Sequence, residues 1–274
     1  MKKIKFVILT LLLAAGVIFY ACEKEEIIEV EDNKEVSTEV INQVESLHFN
    51  PTDLSIGTVK LLDGSEQEAY IIEGDIAITA EQLFSMKTGD LREKQYRTYN
   101  LVSSPQTIDV IGYTGSGNAL SSKMQTALQW AVANYNRLNL GLQFNLTFGT
   151  NYQYKDIVVY QVSGDAGGMA GFPSGGAPYK WVQIFSGIES YSTNVVEHVI
   201  THEMGHCIGL RHTDWATRAS CGSGQGEGAN PDGAVHIPGT PTGYDANSLM
   251  KACFSGSEDG EFGYYDQVAL DYLY

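Results

Sequence analysis

The stretch HEMGHCIGLRH, His202 to His212, contains three of the six histidines of this 274-residue chain, together with one glutamate. If the stretch is helical, His202 and His206 are one turn apart and project from the same side. Gly209 allows the chain to turn sharply with positive φ, which would return His212 as a third nitrogen ligand. The spacing therefore predicts that three imidazoles grip one metal ion.

The residues before His202 support the helix. Thr193 or Asn194 is the predicted N-cap, and Gly209 is the predicted stop. Five apolar residues of the segment would face the core: Val195, Val196, Val199, Ile200 and Ile208. We therefore expect the histidines to lie on a helix that is held firmly by packing.

Three protein ligands leave one coordination position open, which is typical of a catalytic zinc site, whereas a structural site is closed by four. Glu203 lies beside the histidines and is predicted to act as the general base on a water molecule. The predicted function is a Zn²⁺-dependent endopeptidase acting on proteins or peptides. The rival hypothesis is a non-catalytic cell-surface binding lipoprotein stabilised by zinc, which would need the histidines but not Glu203.

HExxHxxGxxH is the signature of the metzincin clan of zinc peptidases, and the longer string HEMGHCIGLRHTDW resembles the dual-action HEIGH metallopeptidases, with Met204 where the family name has isoleucine. The stretch NSLM, ending at Met250, looks like the clan's Met-turn beneath the histidines. The resemblance covers residues 98–274. It implies an α+β, metzincin-like zincin domain with a twisted mixed sheet, an active-site helix and an irregular lower lobe.

The chain departs from the clan at Ala252, where several metzincins place a tyrosine that assists at the zinc. Such a tyrosine would have to come from elsewhere, with Tyr244 one candidate, or the role is absent. Asp214 is a candidate to orient a ligand imidazole, the alternative being a turn or cap role. His198 is predicted to be a packed or hydrogen-bonded helix residue and not a fourth ligand.

Short strands and two further helices are predicted around the motif. The predicted strands are 58–62, 69–73, 75–79, 108–113, 143–148, 156–162 and 179–185, and the predicted helices are 80–86 and 121–138. A glycine-rich segment at 164–176 is predicted to be a loop that shapes a cleft. Strand 179–185 is predicted to be the edge to which an extended substrate adds through backbone hydrogen bonds.

The N-terminus resembles a bacterial export signal. Residues 1–21 combine a lysine-rich start, an apolar run and a small-residue junction, and Cys22 is the predicted lipid attachment site of a lipoprotein. An uncleaved anchor and ordinary secretion are the alternatives. Residues 22–47 are predicted to be an acidic tether, because nine acids and no aromatic residue leave little apolar surface to bury. The acidic residues after Cys22 suggest the outer face of the outer membrane.

Residues 48–97 are predicted to form a small β-rich N-terminal region that is either a propeptide or a permanent accessory subdomain. As a propeptide it would fill the cleft or block the open zinc position with a carboxylate, and Asp75 and Asp90 are available for this. Three basic residues between Arg92 and Arg97 suggest a clipping site, although a plain charged loop explains them equally well.

If Cys22 is lipidated, Cys207, Cys221 and Cys253 remain, which allows one disulfide and one free thiol. Cys221 with Cys253 is the first choice, since that bond would tie the segment after His212 to the Met-turn. Pairing of Cys207 with either of them stays open.

The net charge of −16 argues against nucleic acid as a partner, because no Lys/Arg cluster interrupts the acidic excess. The expected partners are a protein or peptide substrate and, through the lipid anchor, a membrane. We expect a monomer. The sequence defines no calcium site and no cleavage preference.

Overall fold

The structure contains a five-stranded sheet and a smaller three-stranded sheet. It is a computed structural model that describes residues 35–47, 49–86, 97–215, 217–222, 237–241 and 243–274. The elements follow in chain order: α1 Thr38–Ser46, β1 Ser55–Lys60, β2 Glu66–Ile72, β3 Ile76–Ile78, α2 Ala80–Ser85, β4 Gln106–Tyr113, α3 Ser122–Asn136, β5 Leu142–Gly149, β6 Ile157–Val162, β7 Gly168–Met169, β8 Trp181–Phe185, α4 Thr193–Ile208 and α5 Tyr264–Leu273. The α+β class predicted from the sequence is confirmed.

The larger sheet has the strand order β5-β4-β6-β8-β7. The first four strands run parallel, and β7 runs antiparallel to β8. Side chains of β4 alternate between two apolar clusters: Ile108 and Val110 belong to the main core, whereas Ile111 packs with Tyr160 on the other face. Both faces of the sheet are therefore covered, as parallel sheets require.

The main core lies between this sheet and helices α3 and α4. Tyr135 of α3 is fully buried and donates a hydrogen bond to the carbonyl of Thr201 in α4 at 2.9 Å. The N-cap of α4 is Ser192, whose hydroxyl accepts from the Val195 amide, so the predicted cap at Thr193 or Asn194 is wrong. A serine one residue earlier caps equally well, and the helix simply begins at Thr193.

The predicted edge strand is not at the edge. β8 lies between β6 and β7, and the edge strand is β7, Gly168–Met169. This strand has only two residues and falls within the glycine-rich segment that was predicted to be a loop. Periodicity cannot identify so short a strand, because alternation needs at least about four residues to show.

The smaller sheet has the order β1-β2-β3, with antiparallel pairing throughout. It joins the larger sheet beyond β7: Ala77 donates to the Ala170 carbonyl at 2.7 Å, and Ala170 donates to the Asp75 carbonyl at 3.0 Å. The bridge between Ile76 and Ala170 is parallel. The N-terminal region thus extends the main sheet through backbone hydrogen bonds.

Part of the predicted acidic tether is folded. Helix α1 buries Val40 and Val44, one turn apart, in an apolar cluster with Ile72, Ile76 and Phe172. The net acidic composition of 22–47 conceals this i, i+4 pair, and the apolar surface that it needs comes from elsewhere in the chain. Residues 35–274 form one compact unit.

Several predicted features lie outside the described residues, namely the signal segment, Cys22, Asp90 and Arg92. Within the ranges that the structure describes, no helix combines the length and the apolar character that crossing a bilayer requires.

Candidate metal centre

Helix α4 and the chain just after it bring the three histidines of the motif together. His202 and His206 lie one turn apart on α4, and Gly209 ends the helix with φ 113°. Only a residue without a Cβ adopts that conformation easily. The reversal returns His212 to the helix, and all three side chains are buried.

Each imidazole is fixed by an acceptor at its Nδ1 atom. His202 Nδ1 lies 3.0 Å from the Leu249 carbonyl, and His206 Nδ1 lies 2.8 Å from the Leu210 carbonyl. His212 Nδ1 lies 2.7 Å from Oε2 of Glu73. Each of these acceptors can take a hydrogen bond from Nδ1, so the Nε2 atom of every ring is the nitrogen that faces the other two rings.

The three Nε2 atoms converge at distances that suit zinc. His212 Nε2 lies 3.2 Å from that of His202 and 3.3 Å from that of His206. Zinc–nitrogen bonds of about 2.0–2.1 Å at tetrahedral angles separate two ligand nitrogens by about 3.4 Å. Burial lowers the pKa of His206 well below its usual value, which favours the neutral form that binds metal.

A carboxylate from the N-terminal region completes the donor set. Asp75 Oδ2 lies 3.0 Å from His212 Nε2 and 3.5 Å from His202 Nε2. The four candidate ligand atoms all lie within 4.8 Å of one another. Three imidazoles and one carboxylate form a donor set that zinc accepts.

Glu73 lies two residues before Asp75. It contacts the imidazole of His212 at Nδ1, the edge opposite to the one that Asp75 contacts. Its side chain is fully buried, and Oε1 lies 3.2 Å from the Arg211 guanidinium. Burial would raise the pKa of Glu73, but the hydrogen bond with His212 and the charge of Arg211 lower it to about 2. The carboxylate is therefore ionised at neutral pH.

Glu203 lies beside the ligands, as the motif predicts. It is 2% exposed, and among the described residues its Oε2 atom has no hydrogen-bond partner. A Cβ added at Gly168 would lie 2.7 Å from the Glu203 side chain, so β7 packs directly against this carboxylate. Burial and the charge of Asp75 raise the pKa of Glu203 well above its usual value.

The predicted Met-turn lies against the helix. The Met250 side chain is buried and touches α4 at Gly205, where an added Cβ would lie 2.6 Å from Sδ. The turn is held by Asp266 of α5, which accepts from the Ser248 hydroxyl and the Leu249 amide, each at 2.7 Å. The Leu249 carbonyl, in turn, orients His202.

Other residues predicted near the site have different roles. Asp214 does not contact a ligand imidazole in the described structure; it accepts from Ser220 and from the Ala252 amide, so the turn alternative is correct. His198 Nδ1 lies 3.8 Å from Glu258, and the residue is not in the ligand set. Tyr244 is 46% exposed and is not among the described residues that line the cleft.

The disulfide joins the two cysteines that were the first choice from the sequence. Cys221 and Cys253 form a disulfide across 32 residues, and Cys207 is a free, buried thiol on α4. The bond ties the segment after His212 to the segment after Met250.

An open cleft of about 310 Å³ runs past Glu203. Ala166, Gly167 and Gly168 form part of its wall, so the glycine-rich segment shapes a cleft as predicted, and Val199 and Phe254 add apolar surface. Asp75 is also one of the residues that line this cleft.

Sequence reasoning did not identify Glu73 as a partner of the site. The only available signal was two acids around a glycine, Glu73-Gly74-Asp75, where one predicted strand ends and the next begins. Nothing local connects this turn to a histidine 139 residues further along the chain.

Comparisons with known proteins show a matching family and similar solved structures. The model of a family described as dual-action HEIGH metallo-peptidase matches residues 70–274. Two solved structures of myroilysin are similar to the chain. One is 14% identical with a TM-score of 0.40, covering 64% of this chain and 93% of that one. The other is 12% identical with a TM-score of 0.37, covering 62% and 83%. No curated protein matches the chain.

Proposed function

This chain belongs to the dual-action HEIGH metallopeptidase family, and from that premise we propose that it is a surface-anchored endopeptidase, made as a latent precursor, with Glu203 as its general base. The convergence of three imidazole nitrogens next to Glu203 is the observation that supports this proposal most strongly. The substrates of a peptidase are proteins or peptides.

In this proposal His202, His206 and His212 hold the zinc ion. When bound, zinc polarises the scissile carbonyl and lowers the pKa of a water molecule from about 15.7 towards 7. The carbonyl contacts at Nδ1 of His202 and His206 keep those rings from turning, and in the precursor Glu73 does the same for His212.

Glu203 takes the proton from the attacking water and delivers it to the leaving amine. Its burial and raised pKa suit a group that must hold a proton between these two transfers. The neighbouring β7 limits the positions that the carboxylate can adopt, because Gly168 leaves room for it and for little else.

An extended substrate would pair with the same sheet edge that the N-terminal region now uses. The Ala170 amide and carbonyl are the groups that bond Asp75 and Ala77. Once those partners leave, the same two groups become available to a peptide. Side chains of the peptide would then enter the cleft beside Val199 and Phe254.

The N-terminal region would act as a propeptide. Asp75 takes the coordination position that catalysis needs open, and β3 takes the sheet edge that a substrate needs. Clipping between Arg92 and Arg97, a segment that lies mostly outside the described residues, would allow this region to leave.

The location proposed for the protein is the bacterial outer membrane, with the enzyme domain exposed at the cell surface and attached through a lipid on Cys22. The lysine-rich start, the apolar run and the cysteine that follows support this proposal. Secretion is the alternative. Metabolic labelling with a palmitate analogue, compared between wild type and Cys22→Ser, tests it: label in the wild type alone supports the anchor, and equal label or none overturns it.

The peptidase assay uses the exported chain, treated with trypsin that is then inhibited. We expect casein digestion that a zinc chelator abolishes and that Glu203→Gln lowers about 10²–10⁴-fold, since a general base contributes on that order. Zinc content, measured by elemental analysis, should be equal in variant and wild type.

Two outcomes would overturn the proposal. One is a Glu203→Gln variant that digests casein as fast as the wild type, which would place the proton transfer elsewhere. The other is digestion that continues after all zinc has been removed.

A further inference from the structure

The turn between β2 and β3 contacts the metal centre at two points. It consists of Glu73, Gly74 and Asp75. Asp75 lies on the Nε2 side of His212, at 3.0 Å, and Glu73 lies on the Nδ1 side of the same ring, at 2.7 Å. One short turn therefore encloses one imidazole from both edges.

Glu73 differs from the groups that orient the other two rings. His202 and His206 each meet a neutral backbone carbonyl from a neighbouring segment. His212 instead meets a fully buried carboxylate, which also bonds the Arg211 guanidinium and the Asn50 amide, each at 3.2 Å. A carboxylate on the outer nitrogen fixes the tautomer and makes the inner nitrogen a better metal ligand.

The backbone of the turn is strained where it places this carboxylate. Glu73 has φ 56°, and Gly74 has φ 93°. A residue with a Cβ rarely adopts this region and persists there only where its surroundings stabilise it. Arg218 stabilises this backbone conformation, because its guanidinium donates a hydrogen bond to the Glu73 carbonyl at 3.2 Å.

A buried ion pair alone does not explain Glu73. Replacing such pairs with apolar residues is often neutral or stabilising, so the pair with Arg211 is weak evidence for a purely structural role. The shorter contact, to His212, is the one that bears on metal binding.

We infer that Glu73 is a positioning residue for the metal ligand His212, and that the N-terminal region thereby raises the affinity of the chain for zinc. The inference rests on the proposed function only for the identity of the three ligands. It adds a second role to the turn: Asp75 takes a coordination position, whereas Glu73 acts through the imidazole.

Zinc affinity of the full chain, measured by competition with a chromophoric chelator, tests the inference. We expect Glu73→Gln to weaken binding about 10–100-fold, the usual effect of losing such an outer partner. Glu66→Gln, an exposed position on β2, is the matched control and should bind as the wild type does. Circular dichroism before titration verifies that each variant is folded.

Arg211→Gln separates positioning from fold stability. It removes the ion pair but leaves the bond between Glu73 and His212, so we expect a lower unfolding midpoint in urea with unchanged zinc affinity. Cobalt substitution provides a second readout: Glu73→Gln should keep the wild-type type of visible spectrum, because the donor atoms are the same, and Asp75→Asn should change it.

The possible failures are distinguishable. If wild type and Glu66→Gln bind zinc tightly and a folded Glu73→Gln binds equally tightly, the inference is overturned while the ligand assignment stands. An Arg211→Gln variant that loses as much zinc affinity as Glu73→Gln also overturns it. If the wild type binds no zinc, both the inference about Glu73 and the proposed function are overturned.

Discussion

Asp75 and His212 are 137 residues apart in sequence, yet the carboxylate Oδ2 of one lies 3.0 Å from the imidazole Nε2 of the other. The contact joins the N-terminal region to the third histidine of the motif. Its position, where the metal-binding nitrogens converge, is the basis of the proposed latency.

Replacing Asp75 by alanine should release that latency. The variant leaves the coordination position open without any cut in the chain, so we expect casein digestion before trypsin treatment to rise at least tenfold above the wild type. Asp53→Ala, at an exposed position in the same region, is the control and should stay latent. An Asp75→Ala variant that is no more active than the control would show that β3 on the sheet edge is enough to maintain latency without Asp75.

Replacing Gly168 by alanine should lower turnover. The new Cβ would lie 2.7 Å from Glu203, which must then shift, and a displacement of about 1 Å can cost about a hundredfold in rate. We expect a loss of ten- to a hundredfold after trypsin activation, with zinc content unchanged. Gly243→Ala, where an added Cβ meets nothing within 4 Å, should retain full activity. Equal activity of the two variants would contradict the argument.

Stability should depend on pH through Glu197. Burial and the nearby Glu261 charge raise the pKa of Glu197 from 4.5 to about 7, although a hydrogen bond from Asn134 opposes the shift. Protonation of Glu197 thus favours the folded state: its contribution is full below pH about 4.5 and is lost as pH rises through 7. A shift of this size sets an upper limit of about 3 kcal/mol, which solvent screening reduces.

The Glu197→Gln side chain stays neutral at every pH, so the variant should not lose this stability as the pH rises. Urea unfolding should show a variant that matches the wild type near pH 4.5 and exceeds it by up to about 3 kcal/mol at pH 8.5. Glu39→Gln, at an exposed position on α1, should follow the wild-type pH profile. A Glu197→Gln profile parallel to that of the wild type would refute the assignment.

The disulfide between Cys221 and Cys253 should stabilise the folded chain. Cys221 and Cys253 close a loop of 32 residues, and the chain-entropy model gives about 4 kcal/mol for that length. Replacing both by serine should lower the free energy of unfolding by roughly that amount. A reductant should destabilise the wild type and leave the double variant unchanged; destabilisation of both would point to a different cause.

The local features of the site follow from the sequence, because the contacts that create them are local. The i, i+4 spacing of His202 and His206 and the left-handed turn at Gly209 require only a few neighbouring residues. The paired strands β4 and β5 show the apolar periodicity expected for a buried sheet.

The remaining features depend on contacts between distant segments. Two-residue strand β7 is defined by its partners and not by its composition. Helix α1 needs the apolar surface of Ile72 and Phe172, and the hydrogen bond that His212 donates to Glu73 depends on how a hairpin turn docks. No periodicity or propensity in one stretch specifies such docking.

The pairing of β3 with Ala170 has a consequence for solubility. An uncovered sheet edge is a template on which a second molecule can add a strand, and short edges are one way in which proteins limit intermolecular aggregation. Here the edge strand has two residues, and its continuation at Ala170 is covered by the backbone of Asp75 and Ala77. In the proposed precursor, this edge therefore offers neighbouring molecules no site for β-assembly.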